Sequence, residues 1–232
     1  CSKDRPAKAL IKEIQEEKKQ LIAEKKLKKD KNESFIYREG ESFYEVCGKE
    51  VDCIDEEIPF DIPESWEWAR LGFLSTYGSP TKKVKLRDVS SDTWCLELAD
   101  IRKGGTLEKI QLAKESDSKG EKVVFSKGNI LYSKLRPYLK KILLVDMDGV
   151  CSPEIVPFGV YGKLNGKYVV NYLKSPYIDQ LVNEASYGVK MPRVGTETMK
   201  RLLVPVPPLE EQKRIVAKIE EAFAEIENLG TE

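Results

Sequence analysis

The segment PVPPLEEQKRIVAKIEEAFAEI, residues 205–226, is the strongest helix signal in this 232-residue chain. Pro207 and Pro208 suit a first helical turn, where a missing N–H costs little, and the glutamates that follow favour the positive end of the helix dipole. Apolar residues then recur at steps of four and three, as in a coiled-coil seam: Ile215, Ile219, Ala222, Ile226 and Leu229. The spacing predicts a long amphipathic helix that either pairs with another helix or folds back on its own domain.

The composition excludes several classes of protein. The chain has no histidine, which excludes Ser-His-Asp and Cys-His catalysis and histidine metal ligation. No apolar run approaches the roughly 18 residues of a membrane span, and no secretory signal precedes the fold. The five cysteines are scattered without a C-x-x-C pair. We therefore expect reduced thiols in a cytoplasmic protein, and neither a metal site nor a disulfide framework.

Charge is segregated along the chain although the net charge is zero. Acidic residues dominate from Glu41 to Glu67, and basic residues dominate from Lys119 to Lys141. Binding to a polyanion depends on a local basic surface and not on total charge. A nucleic-acid partner therefore remains compatible with this composition.

The apolar pattern divides the chain into four segments, predicted as residues 1–33, 34–61, 62–206 and 207–232. The first holds a helix from about Ala7 to Lys29 with a thin apolar stripe, and its lysine-rich end favours a solvated tip over a DNA contact. The second is a connecting arm, in which apolar and polar residues alternate around Gly40 and Gly48 and predict short hairpin strands.

The third segment mixes strand and helix signals. Strands are predicted in KVVF, NILYSKL and KKILLVD, and a helix in KYVVNYLKSPYIDQLVNEAS with a break near Pro176. A short helix and a final strand follow in GVKMPRVGTETMKRLLVPVPP. We expect an α+β fold: a globular domain with a twisted mixed sheet and a few helices, a helix at the N-terminus and a long coiled-coil-forming helix at the C-terminus.

Motifs for chemistry are scarce. The sequence has no phosphate loop of the G-x-x-x-x-G-K-[ST] type and no G-x-G-x-x-G after a strand. It also lacks the Asn-Pro-Pro-aromatic tetrapeptide with which adenine methyltransferases hold a flipped base. Glu16-Glu17-Lys18 matches the E-x-K of many nucleases, but it lies on a polar helix face and is interpreted as chance. A nuclease or methyltransferase that acts alone therefore has little support.

Three clusters combine basic residues with tyrosine: TYGSPTKKVKLRD (76–88), LYSKLRPYLKK (131–141) and SYGVKMPRVG (186–195). Lys and Arg bind phosphates by charge, and Arg can read guanine in the major groove. We predict phosphate contacts at Lys82, Lys83, Lys140 and Lys141, base or groove contacts at Arg87, Tyr132, Lys134, Arg136, Tyr187, Lys190 and Arg193, and a further DNA contact at Lys85. Each cluster alone could equally be a solvated loop, and Lys85 could be the wet side of a strand.

Several segments, in order, resemble the specificity subunits of type I restriction–modification systems. PVPPLEEQKRIVAKIE with the preceding VKMPRVGTETMKRLLVP resembles the end of a target-recognition domain and the start of a conserved helix. IPESWEWARLGFL (62–74) resembles the start of such a domain, and KGNILYSKLRPYLKK with GVCSPEIVPF resembles its middle. AKALIKEIQEEKKQLIAEKKLKKDK (7–31) resembles the helix before the first domain.

This resemblance implies a non-catalytic subunit that reads one half of a bipartite double-stranded DNA target. It implies methyltransferase and restriction partners, with S-adenosylmethionine bound by the methyltransferase and no cofactor on this chain. The late helix would then be a spacer that docks on partner helices. Familiar members carry two recognition domains and are nearly twice as long, so we expect a half or truncated subunit that pairs with itself or with a second half. The alternative is an interaction scaffold without specific DNA binding.

Overall fold

The computed structural model describes residues 4–30, 33–118 and 120–229, with the side chain of residue 227 left out. Cys1, one of the five cysteines, and Lys119, which begins the predicted basic stretch, lie outside these residues. The chain divides into two compact units. The first comprises Cys1–Leu74, Val160–Tyr168 and Leu202–Glu232, and the second comprises Ser75–Gly159 and Val169–Arg201. The four segment boundaries stay a prediction.

The described residues form six α-helices and twelve β-strands. The helices are α1 (Ala7–Ala23), α2 (Leu71–Leu74), α3 (Gly166–Leu173), α4 (Pro176–Glu184), α5 (Thr196–Arg201) and α6 (Leu209–Leu229). The strands are β1 (Ser34–Glu39), β2 (Ser42–Cys47), β3 (Glu50–Cys53), β4 (Glu67–Arg70), β5 (Lys83–Lys85), β6 (Trp94–Leu96), β7 (Glu121–Phe125), β8 (Ile130–Ser133), β9 (Ile142–Leu144), β10 (Gly149–Cys151), β11 (Ile155–Phe158) and β12 (Leu203–Val206). None of the described helices is long and apolar enough to cross a membrane.

Helix α1 ends at Ala23, so its predicted end at Lys29 is wrong. Lys25 adopts a left-handed conformation with φ of 59°. Its N–H donates to the Ile22 carbonyl at 3.0 Å, and the Lys26 N–H donates to the Leu21 carbonyl at 2.9 Å. These bonds close the last turn as a Schellman motif. The motif usually has glycine at its left-handed position, and the lysine here gave no signal in the sequence.

The lysine of the E-x-K match has a packing role. Lys18 is buried, and its ammonium lies 5.0 Å from the ring centre of Phe73 and 4.8 Å from that of Tyr161. It donates to the Phe73 carbonyl at 3.0 Å and pairs with Glu33. A buried cation needs such compensation for lost water. Lys18 therefore anchors α1 within the first unit.

The predicted hairpins of the arm are confirmed. Strands β1, β2 and β3 form an antiparallel sheet, and Gly40 and Gly48 at its turns both have φ of 63°. Arg70, at the end of β4, holds this sheet: its guanidinium donates to Glu45 at 2.6 and 3.0 Å and to Glu57 at 2.8 Å. Burial alone would lower the pKa of Arg70, but the hydrogen bonds to the two carboxylates outweigh burial and raise it.

Two segments of the first unit that are far apart in the sequence pair in a two-stranded sheet. Strand β4 pairs antiparallel with β12, so that Glu67 faces Val206 and Arg70 faces Leu203. The predicted C-terminal helix follows β12 as α6. Gln212 on its first turns is fully buried; its amide donates to the Pro207 carbonyl at 2.8 Å and its oxygen accepts from the Asn165 N–H at 2.9 Å. The helix start is thereby fixed to its own unit.

The second unit confirms the mixed sheet. Its four strands run in the order β5-β7-β10-β6, where β10 is parallel to β6 and antiparallel to β7. A second sheet, β11-β8-β9, is antiparallel. The core between them includes Trp94, Phe125, Leu131 and Cys151. The predicted break at Pro176 separates α3 from α4, and the predicted short helix is α5.

We predict that Arg70→Ala lowers the free energy of unfolding by about 3 kcal/mol, because it leaves the largely buried Glu45 carboxylate without its cation. Urea unfolding followed by circular dichroism measures this change. Lys213→Ala is the control, since Lys213 pairs with Glu210 on the helix surface and its removal should change stability by less than about 0.5 kcal/mol. Equal effects of both substitutions would contradict a stabilising role for the ion pairs of Arg70 with Glu45 and Glu57.

Candidate functional site

The second unit brings two of the three basic clusters together. The loop 134–140 follows β8, and the segment 186–194 follows α4. The Arg136 N–H donates to the Pro192 carbonyl at 2.8 Å, and the Val194 N–H donates to the Lys134 carbonyl at 3.1 Å. We call residues 134–140 and 186–194 the paired loops. Their backbones are joined, so the basic and aromatic side chains predicted separately in these clusters share one surface.

The first of the paired loops contains strained backbone. Arg136 and Lys140 have φ of 50° and 48°, a left-handed conformation that is uncommon outside glycine. They flank a 3-10 turn at Pro137–Leu139. Arg136 and Tyr138 at this turn are exposed. Strained residues of this kind cluster at functional sites, so the conformation marks this loop as a candidate.

The second of the paired loops is a hairpin. The Tyr187 N–H donates to the Arg193 carbonyl and the Arg193 N–H donates to the Tyr187 carbonyl, both at 2.9 Å. Gly188 follows with φ of 94°, which favours glycine. Tyr187 and Lys190 of this hairpin are exposed. The two backbone bonds therefore close a short loop whose tip is in solvent.

Arg193 is engaged within the protein. Its guanidinium donates to the two oxygens of Glu154 at 2.9 and 3.2 Å, a bidentate arrangement that is among the stronger hydrogen-bonded pairs. The hydrogen bond from Arg193 lowers the pKa of the Glu154 carboxyl below its ordinary value. The Lys134 N–H donates to the Glu154 carbonyl at 3.0 Å. Arg193 and Glu154 therefore connect the hairpin to the other loop, and sequence reasoning missed Glu154 because a single carboxylate has no local signature.

Three other side chains that were predicted to contact DNA bind or pack against other residues of this unit. Lys140 pairs with Asp179 at 3.0 Å, and Lys141 donates to the Leu98 carbonyl at 2.6 Å. Tyr132 is only 3% exposed and packs edge-on against Tyr77, with ring centres 6.2 Å apart. Burial raises the pKa of Tyr132. Its ring belongs to the core because β8 is a central strand, so we leave Tyr132 out of the proposed surface.

The first basic cluster lies on an edge strand. Strand β5 pairs only with β7 among the described strands, and its Lys83 and Lys85 are exposed while Val84 is half-buried. Lys83 lies 3.7 Å from Glu121, and Arg87, which is also exposed, lies 3.7 Å from Asp88. Lys82 is exposed as well. The alternative for Lys85, a solvated strand face, fits this position, and basic edge residues also discourage strand-to-strand aggregation.

The helix α6 changes character along its length. Val216 is buried and the predicted seam residues Ile215 and Ile219 are half-buried. Further along, Ala222, Ile226 and Leu229 are exposed, as is Phe223, which the sequence analysis did not single out. The first part of the helix thus packs within its unit, and the second part presents apolar side chains to solvent. Pairing through this seam stays a prediction.

The described residues also bear on the metal-site and thiol chemistry considered from the sequence. No group of three or more His, Cys, Asp or Glu side chains in them could hold a metal ion. Cys47, Cys53, Cys95 and Cys151 are free thiols. Burial raises the pKa of Cys151 to about 12, which opposes the thiolate form that a nucleophile needs.

Known proteins show consistent similarity. A family model described as "Type I restriction modification DNA specificity domain" matches residues 82–232. The EcoAI specificity subunit of Escherichia coli is 30% identical over 94% of this chain and 36% of its own length, and the EcoDI specificity subunit of Escherichia coli is 26% identical over 73% and 37%. A crystal structure of the HsdS subunit from Thermoanaerobacter tengcongensis has a TM-score of 0.62 and 26% identity, covering 75% of this chain and 46% of that one. The chain thus spans about a third of the length of these curated relatives.

We predict that Glu154→Gln speeds amide hydrogen exchange at Tyr187 and Arg193 about fivefold, because it weakens a partly exposed ion pair that holds the hairpin. In the wild type, the stability that the Glu154–Arg193 pair adds to the hairpin depends on pH. Since the pKa of Glu154 is lowered, the added stability is present above about pH 4.5, the ordinary value, and is lost as the pH falls through the lowered pKa.

Hydrogen exchange read by nuclear magnetic resonance checks this prediction. The matched control is Glu197→Gln, because Glu197 pairs with Lys200 and has no hydrogen bond to the hairpin among the described residues. Unchanged exchange in Glu154→Gln at neutral pH would show that the pair does not hold the hairpin.

Proposed function

The chain belongs to the family of type I restriction–modification DNA specificity domains, and from that membership we propose that it reads one half of a bipartite double-stranded DNA target. The observation that carries this proposal is the surface of the paired loops. It joins exposed cations and tyrosines on a constrained backbone, which suits contact with both phosphates and base edges.

The exposed cations that form no ion pair within the described residues are the best candidates for DNA contact. Arg136 and Lys190 are exposed, and neither has an ion pair with any described residue. A free guanidinium can donate to guanine O6 and N7 together, whereas a lysine neutralises phosphate as a point charge. We assign base reading to Arg136 and phosphate binding to Lys190. Lys85 on the edge strand β5 and Lys82, which precedes that strand, are further phosphate contacts in this proposal.

The proposed complex places chemistry on other subunits. We propose that methyltransferase subunits bind S-adenosylmethionine and methylate the target, that a restriction subunit joins them, and that this chain is non-catalytic. The relatives' names as type I restriction enzyme specificity subunits support this assignment. Such a complex would act in the cytoplasm.

We propose that α6 supplies the assembly surface. Its exposed apolar residues lie on one side of the helix, because steps of three and four residues return to the same face. A second copy of this chain, or another recognition half, would pair through this face. Self-pairing would make the target palindromic, because two-fold symmetry in the protein is matched by symmetry in the DNA.

A methylation map tests the proposed function directly. The chain is co-expressed with its methyltransferase subunit in a host without other adenine methylation, and modified adenines are read across the genome. We expect a single bipartite motif, whose symmetry reports self-pairing. Soluble, co-purified subunits that methylate no motif would favour the alternative of an interaction scaffold, whose basic loops are only solvated.

We predict that Arg136→Ala with Lys190→Ala weakens DNA binding through the lost base contact of Arg136, and lowers the slope of log affinity against log salt by about 0.9 through the lost phosphate contact of Lys190. Fluorescence anisotropy from low to moderate salt measures both quantities on duplex DNA. Lys49→Ala is the control, because Lys49 is exposed at a turn of the arm. An unchanged affinity and slope in the double variant would remove the paired loops from the DNA interface.

We predict that Ile226→Asp abolishes helix pairing, because it puts a charge into an apolar seam. Ala224→Asp is the matched control, since Ala224 is exposed on the opposite face of α6. Light scattering of the purified chain and co-purification with the methyltransferase subunit measure association. Association that survives Ile226→Asp as well as it survives Ala224→Asp would show that this seam is not the assembly surface.

A further inference from the structure

We propose that the tip of the 187–193 hairpin reads thymine methyl groups in the major groove, with Val189 and Met191 as the contacting side chains. This inference rests on the proposed function, because it names the chemistry that one part of the DNA surface recognises. Neither residue was among the basic and aromatic contacts predicted from the sequence.

The tip is unusually apolar for a solvent-facing turn. Val189 is 101% exposed, Met191 is 46% exposed and Tyr187 is 62% exposed. Single exposed apolar side chains are ordinary on protein surfaces. Here three of them fall within five residues of one ribbon, which is a pattern associated with binding surfaces.

The ribbon is held in place by the rest of its unit. The reciprocal bonds between Tyr187 and Arg193 close its base, and the bidentate pair of Arg193 with Glu154 fixes the C-terminal side of that base. The Arg136 N–H adds a bond to the Pro192 carbonyl. A preorganised element loses less conformational entropy on binding and places its tip accurately. Arg193 is therefore a positioning residue for the tip.

The surrounding charge selects DNA over an apolar protein partner. Lys190 lies between Val189 and Met191, and Arg136 is joined to the hairpin through its backbone. Both side chains are exposed. The nearby carboxylate of Glu154 is neutralised by Arg193. An apolar tip flanked by free cations is complementary to a groove bounded by phosphates.

The shape and chemistry of the tip together indicate the major groove. At its base the loop is as wide as one antiparallel residue pair, Tyr187 with Arg193, and the major groove admits a two-stranded ribbon of that width. The thymine methyl is the apolar feature on its base edges, and valine and methionine side chains can contact it but cannot donate to base acceptors. In the minor groove an apolar tip would have no methyl to contact and would have to wedge between base pairs and unstack them.

Deoxyuridine substitution tests this proposal, because it removes only the thymine methyl. Each thymine of the target motif is replaced singly in a synthetic duplex, and affinity is measured for the complex of the chain with its methyltransferase subunit. We expect at least one replacement to weaken wild-type binding about fourfold, the effect of one buried methyl. The same replacement should leave the affinity of a Val189→Ala, Met191→Ala variant unchanged.

Val51→Ala is the matched control, since Val51 is also exposed but lies on β3 in the first unit; it should keep the wild-type response to deoxyuridine. Wild-type binding that no deoxyuridine replacement weakens overturns the inference while leaving the proposed function intact. A deoxyuridine effect that persists in the double variant also overturns it, as would unstacking reported by 2-aminopurine fluorescence at the contacted step. Wild-type protein without any sequence preference would overturn the proposed function and this inference with it.

Discussion

The first unit depends on the antiparallel pairing of β4 with β12, which joins two segments that are far apart in the sequence. A two-stranded sheet is marginal by itself in water, so its neighbours must stabilise it. Trp68 of β4 and Leu203 of β12 enter one apolar cluster with Ile36 and Phe43 of the arm. Arg70 adds the ionic attachment to Glu45 and Glu57. The arm therefore helps to stabilise the pairing of β4 with β12.

The pairing of β4 with β12 also explains which residues stand at the start of α6. Pro205 in β12 has no N–H, but its carbonyl accepts a hydrogen bond from the Tyr168 hydroxyl at 2.7 Å. The Pro207 carbonyl accepts from Gln212, and Glu211 accepts from the Trp66 indole at 3.0 Å. These bonds satisfy polar groups that would otherwise be buried without partners. The Pro-Pro-Leu-Glu-Glu-Gln segment thus starts a helix and also fixes that helix to the closing strands.

Local patterns predicted the elements well, and long-range contacts defined the site. The break at Pro176 and the hairpin turns at Gly40 and Gly48 follow from backbone chemistry that one residue imposes. The burial of Tyr132 and the pairing of Arg193 with Glu154 could not be predicted in this way. A tyrosine or arginine beside other basic residues has the same local pattern whether it faces solvent or a distant partner. The structure therefore limits the proposed DNA-binding surface to side chains that are exposed and have no ion pair among the described residues.

The sequence left two alternatives for α6, packing on its own domain or pairing with another helix, and they apply to different parts of the helix. Gln212 and Val216 are buried, so the first turns fold back on their own unit. Beyond Ala222 the seam is exposed, and an isolated helical extension gains little from propensity alone in water. Burial of Phe223, Ile226 and Leu229 by a partner helix would supply the apolar contact that this extension lacks. Recognition and assembly would then occupy different units of the chain, so loops could change their DNA target while the helix keeps its partner.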